Sequence, residues 1–293
     1  MNSIFLVTKP IQYFNVTNIE DNNRKICIII NLFYNAERIY EEIKSKSDYW
    51  DEVYFFYFWK DAFKYIESNK MNVSNLYLDS DFGFQKNMHL RRLRSMNIFV
   101  YEEGVGSYKP YFRKRTVINY VINSLSRLCG FQNYLGGSKY TKGIYLYDIS
   151  LHQKNIPHCL KERHTFLYQF REYLNIFKDK AIFLPADFGN IMKMIRGNKV
   201  LIYLTSWNIA PEIEKILNNY PDYIKVLKPH PHLLNKIEKQ SSMFDIVLPG
   251  NTLIEFFIDE ALKHGCDLLI IHHGSSALMY FKNEEHIKTF MIK

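Results

Sequence analysis

Val53-Tyr54-Phe55-Phe56-Tyr57-Phe58 runs straight into Trp59-Lys60-Asp61-Ala62-Phe63-Lys64-Tyr65-Ile66-Glu67-Ser68-Asn69, and Leu76-Tyr77-Leu78 follows a few residues later. The first stretch is an unbroken apolar run of strand length. The second places Trp59, Ala62, Phe63 and Ile66 three and four apart, which is helical spacing, and the third is apolar and short again. A strand, a helix and a strand in this order argue for a parallel sheet, with the helix as crossover.

The same rhythm extends in both directions. Strands are expected at Ile4–Thr8, Ile26–Ile30, Ile98–Tyr101 and Ile144–Tyr147, with a helical pattern over Ala36–Lys46. After Pro157 a charged helix is expected around Lys161–Phe177. Strands then resume at Ala181–Leu184, Val200–Leu204, Tyr223–Leu227, Ile246–Leu248, Leu268–Ile271 and Thr289–Ile292. A chain of 293 residues exceeds the size at which one core stops growing. The reading is therefore α/β with two parallel sheets, as residues 1–160 and 161–293, the divide falling within 155–180.

Apolar residues make up 47% of the chain and charged residues 23%, a globular balance that excludes disorder. The net charge of +8 favours acidic partners. No RNA-binding aromatic motif, zinc-finger spacing or long Lys/Arg block is present, so nucleic acid is not the expected partner. The basic stretches are short: Arg91-Arg92-Leu93-Arg94 and Arg113-Lys114-Arg115. The second leads into Val117, Ile118, Val121, Ile122, Leu125 and Leu128 at helical spacing. That helix reads either as an ordinary packed helix with a solvated end or as a peripheral contact with the inner membrane surface. Cys27, Cys129, Cys159 and Cys266 are scattered and read as reduced, mostly buried thiols. Ile4-Phe5-Leu6-Val7 is too short for a signal segment and no apolar run is long enough to cross a bilayer, so the expected location is cytoplasmic.

In parallel sheets ligands bind beyond the carboxyl ends of the strands, so the polar residues there are the candidates. After the strand ending at Tyr101 comes Glu102-Glu103-Gly104-Val105-Gly106-Ser107-Tyr108. Adjacent carboxylates raise each other's pKa, which suits a base, and extended backbone turns only one of the two toward a ligand. A solvated acidic turn explains the pair equally well. Leu227-Lys228-Pro229-His230-Pro231-His232 fixes an imidazole between two prolines and beside a lysine, a setting for an anionic leaving group or an ordinary His-Pro turn. Ile271-His272-His273-Gly274-Ser275-Ser276 takes a strand into a glycine turn and a serine cap, which offers N–H and hydroxyl donors to a phosphate. Adjacent histidines without further ligands do not make a metal site.

These three motifs, in this order across two domains, resemble the bacterial sialyltransferases of glycosyltransferase family 52, which decorate lipooligosaccharide and capsule. Val7-Thr8-Lys9-Pro10-Ile11-Gln12 is similar to the family's opening T-P-x-Q pattern with one inserted residue. The resemblance implies a GT-B architecture, two Rossmann-like domains facing across a cleft. It implies transfer of sialic acid from CMP-sialic acid to a terminal galactose or N-acetylgalactosamine of a surface glycan, with inversion, no cofactor, no metal and no D-x-D metal motif. Glu103 would be the general base and His230 the acid or electrostatic stabiliser. Ser275, Ser276, Gly274, Ser206, Lys228 and Glu255 would hold CMP, and Gln12, Thr8 and Glu102 would meet the sugars. The glutamate pair, where many members have Asp, is similar to the bacterial polysialyltransferases. Transfer of another CMP- or CDP-activated unit, Kdo or glycerol phosphate, is the other alternative. Oligomeric state is not legible.

Overall fold

Strands buried on both faces must be apolar at nearly every position, and the computed structural model shows where those runs lie. It describes residues 1–110, 117–206, 208–231, 233, 241–282 and 284–292, with backbone alone at 117–121 and 123. Arg113-Lys114-Arg115 and His232, and the side chains of Val117, Ile118 and Val121, lie outside the described residues. The chain divides into two units: residues 1–31 with 36–175, and residues 32–35 with 176–293.

The first unit contains β1 (Asn2–Val7), α1 (Pro10–Val16), β2 (Arg24–Ile30), α2 (Ala36–Lys46), β3 (Glu52–Phe56), α3 (Trp59–Ser68), β4 (Val73–Leu78), α4 (Phe84–Arg92), β5 (Asn97–Tyr101), α5 (Val117–Leu128), β6 (Thr141–Leu146), α6 (Ile149–Asn155) and β7 (Glu162–Thr165). Its last helix, α7 (Phe170–Ile176), ends at the divide. The seven strands pair in parallel in the order β3-β2-β1-β4-β5-β6-β7. Proline at the first position of α1 is preset for a helix start, and α3 buries Ala62, Phe63 and Ile66 as their spacing requires. On one face an aromatic ladder crosses five strands: Phe5, Tyr77, Phe99, Tyr145 and His164, with successive ring centroids 4.4, 5.2, 5.9 and 5.0 Å apart. Cross-strand ring pairs of this kind add to the stability of burial. Gly143 opens space for the ladder, since a Cβ there would stand 2.6 Å from His164 Nε2.

The second unit contains β8 (Lys199–Leu204), β9 (Ile224–Lys228), β10 (Ile246–Val247), β11 (Asp267–His272) and β12 (Ile287–Met291), all parallel, in the order β10-β9-β8-β11-β12. Helices α8 (Phe188–Ile195), α9 (Ile213–Asn218) and α10 (Ile254–Lys263) accompany them. Leu201, Tyr203, Leu227 and Ile271 belong to one buried cluster of its core, where Tyr203 stacks on Phe244.

Two expectations need correction. Within Lys161–Phe177, residues Glu162–Thr165 form a strand, because as the edge partner of β6 they need backbone pairing but little apolar content. The two units part at 175/176. Ala181–Leu184 is no strand; the buried side chains of Ile182 and Phe183 sit in a 3₁₀ helix, Lys178–Phe183. Among the described residues no helix is long and apolar enough to cross a membrane. Cys27, Cys159 and Cys266 are buried free thiols and Cys129 is exposed.

The segment joining α5 to β6 is held by a carboxylate from another loop. Asp81, buried after β4, accepts hydrogen bonds from Gly136 N–H (3.1 Å), Ser138 N–H (2.8 Å) and Thr141 Oγ1 (2.6 Å). Burial raises its pKa, against the pull of those donors. Asp81→Ala leaves three donors without their acceptor and should lower stability by roughly 3 kcal/mol. Chemical unfolding of the two proteins measures this; a change below about 1 kcal/mol would show that the carboxylate is not the anchor.

Candidate functional sites in the two units

In the first unit the order β2-β1-β4-β5 reverses direction between β1 and β4, and the loops after β1, β4 and β5 lie at this switch point. The adjacent glutamates meet opposite fates. Glu102 is wholly buried, with its carboxylate accepting from the Tyr108 hydroxyl and from Tyr147 N–H (2.8 Å), while its carbonyl accepts from Asn15 Nδ2 (2.7 Å). Burial and this carboxylate raise the Tyr108 pKa far above its ordinary value, so the phenol stays a donor. Glu103, one residue on, keeps a quarter of its side chain exposed and forms an ion pair with Lys9. Its N–H donates to Ser107 Oγ (2.8 Å), and Gly104 at φ 106° turns the chain away as only glycine does readily. Burial lowers the Lys9 pKa, opposed by the charge of Asp79, which itself pairs with Lys86 (3.2 Å).

Three readings change here. Glu102 is a structural carboxylate and does not face a sugar. Gln12 is wholly buried and its Oε1 accepts from Thr8 N–H (2.6 Å) and Thr8 Oγ1 (2.9 Å), so Thr8 and Gln12 clasp the β1–α1 turn, while Gln12 Nε2 is buried without a hydrogen-bond partner among the described residues. Lys9, which interrupts the opening pattern, proves to be the partner of Glu103. Against the expectation of no D-x-D motif, Asp79-Ser80-Asp81 has that spacing; Asp81 binds the loop before β6 and Asp79 binds Lys86.

In the second unit the switch point lies between β8 and β11, and β9, β8 and β11 are successive neighbours. The loops bearing His230, Ser206 and His272–Ser276 therefore start within two strand spacings, about 10 Å, of one another. Half-buried His230 donates its N–H to Thr205 Oγ1 (2.8 Å), and Thr205 N–H donates to Lys228 O (3.2 Å), which ties the two loops together. Tyr34 N–H donates to Pro231 O (2.9 Å), pinning the far side of the His-Pro turn. Ser206 Oγ donates to Asn208 O (3.2 Å), a local turn contact.

Lys228 is turned inward, so its reading as a phosphate ligand is corrected. Its buried Nζ donates to Pro229 O (2.7 Å) and Gly250 O (3.0 Å), stapling the loops after β9 and β10. Burial lowers its pKa to about 8, opposed by the charge of Glu255. Glu255 is buried as well, and burial raises its pKa, so it reads as a partner in charge for Lys228 and not as a ribose contact. In the glycine turn, Gly274 N–H and Ser275 N–H both donate to His272 Nδ1 (2.9 and 3.2 Å), which places the ring proton on Nε2. Those two N–H groups are thus occupied, and Ser275 Oγ accepts from Ala277 N–H (3.4 Å) at the start of the 3₁₀ helix Ser276–Phe281. What faces outward is exposed Gly274 and the half-buried Ser275 and Ser276. His273 Nε2 lies 3.0 Å from the Tyr203 hydroxyl, a contact that strand-end reasoning did not foresee.

No family model matches this chain, and no curated protein matches it.

Because the folded-state pKa of Lys228 is depressed from 10.5 to about 8, the unfolded chain binds more protons between those values. The resulting contribution to stability is complete above 10.5 and is lost as pH falls through 8. Relative to Lys228→Met, the native chain should gain stability as pH rises across this window. A stability difference between the two that does not move with pH would overturn the assignment.

Proposed function

We propose that this chain is an inverting sialyltransferase that passes sialic acid from CMP-sialic acid to a terminal galactose or N-acetylgalactosamine of a bacterial surface glycan. In this reading its two units stand as a GT-B pair, it works at the inner face of the plasma membrane, and it needs no metal. The observation that supports it best is the divided glutamate pair: Glu102 is sealed in the interior while Glu103 reaches the rim of β5. A loop that only needed solvation would leave both carboxylates in water, whereas a base has to be single, aimed and held.

Glu103 accepts the proton of the acceptor hydroxyl as that oxygen bonds to the anomeric carbon. The bond from that carbon to the CMP phosphate oxygen breaks on the opposite face, and CMP leaves with the electron pair. His230, fixed through its backbone to Thr205, meets the charge that develops on the phosphate. Ser275 and Ser276 supply hydroxyls to the same group. The Lys9 ammonium occupies Glu103 between turnovers and has to yield its place to the acceptor hydroxyl. A cytidine monophosphate leaving group carries less charge than a diphosphate, and an imidazole N–H with hydroxyl donors is suited to it.

The test is incubation with CMP-sialic acid and a panel of galactose- and N-acetylgalactosamine-terminated acceptors in EDTA, read by mass spectrometry. Sialylated product is expected, with turnover reduced about 10²–10⁴-fold in Glu103→Gln at unchanged donor binding. Normal transfer by that variant would remove Glu103 from the chemistry, and absence of product from every acceptor would remove the donor assignment.

A further inference from the structure

The first unit carries a half-open cavity of about 580 Å³ that the strand-end loops do not use. Its wall includes Arg91, Arg94 and Lys139, and no carboxylate among the described residues. Arg91 and Arg94 have no acidic partner among the described residues, whereas Arg92, on another face of α4, pairs with Glu67 (3.4 Å). Phe84, Met88 and Arg91 stand at i, i+4 and i+7 and so share one face of α4. Phe84 is 59% exposed and Leu128, at the end of α5 on the same cavity, is 84% exposed.

The two features demand one ligand. A small soluble anion would satisfy the cations but leaves Phe84, Met88 and Leu128 in water. A purely apolar partner would cover those side chains and strand three like charges. A bilayer surface with anionic lipid meets both needs, with phosphate on the cations and the apolar rim at the level of the acyl chains. The placement fits. Arg94 precedes β5 and Lys139 precedes β6, so the cavity is at the strand starts, about 16 Å of strand from the end that carries Glu103. Contact there leaves the candidate active-site loops of this unit uncovered.

We propose that the cavity formed by α4, the end of α5 and the segment before β6 docks the phosphate headgroup of an anionic phospholipid within a membrane surface. The inference does not rest on the transferase reading, and its test needs no activity. The full chain is sedimented with vesicles of phosphatidylcholine alone and of phosphatidylcholine mixed with phosphatidylglycerol. Binding is expected only to the mixed vesicles and should persist against soluble glycerol phosphate. The exposed pair Arg91→Glu with Arg94→Glu should weaken it by roughly thirtyfold or more. Lys193→Glu with Arg196→Glu, also exposed and equal in charge change, should leave it within about threefold of the native chain. Leu128→Ser should cost about tenfold. Equal losses from the two charge reversals would reduce the effect to net charge and overturn the site. Displacement by soluble glycerol phosphate, or an unaffected Leu128→Ser, would make it a soluble-anion site and overturn the membrane assignment.

Discussion

The Glu102 side chain is wholly buried, and the first unit's candidate site depends on how its carboxylate is held. A buried carboxylate is tolerable only when donors surround it, and here Tyr108 and Tyr147 provide them from the segments after β5 and β6. The Glu102 carbonyl adds Asn15 of α1. Three pieces of chain are thereby locked to the end of β5. With Glu102 fixed inward, the alternation of extended backbone gives Glu103 one direction, outward to Lys9.

The second unit repeats the device with the opposite charge. Lys228 is drawn inside, where two carbonyls from different loops hold its ammonium, and His230 two residues later is left at the surface on a backbone tied to Thr205 and Tyr34. Each unit thus uses a buried ionisable residue to place an accessible one close by in sequence. Such staples are costly to desolvate and useful because they are directional: a carboxylate or ammonium satisfied by named partners permits far fewer loop conformations than an apolar side chain would.

The strand and helix rhythm was legible because parallel strands covered on both faces have to be apolar along most of their length, as β1, β2, β8 and β11 are beyond their polar first residues. The edge strand β7 lies outside that rule, and its sequence Glu-Arg-His-Thr carries no apolar signal. Motif position was legible too, since polar residues do follow β5, β9 and β11. Direction was not. Alternation says that Glu102 and Glu103 point to opposite sides, but which side is interior depends on Tyr108 and Tyr147. Asp81 was invisible for a related reason: the groups it binds are 55, 57 and 60 residues away. The turn at Gly274 shows a local limit. Whether its N–H groups are free for a phosphate depends on the rotamer of His272, which takes two of them.

The proposed transfer requires Glu103 and His230 to serve one nucleotide-sugar. A crystal structure of the full chain with CMP tests it most directly. The expected result is CMP seated against the loops after β9 and β11, its phosphate within hydrogen-bond reach of the His230 ring, and the Glu103 carboxylate turned toward the same bound molecule. CMP bound away from those loops, or Glu103 facing a different part of the protein from the bound nucleotide, would contradict it.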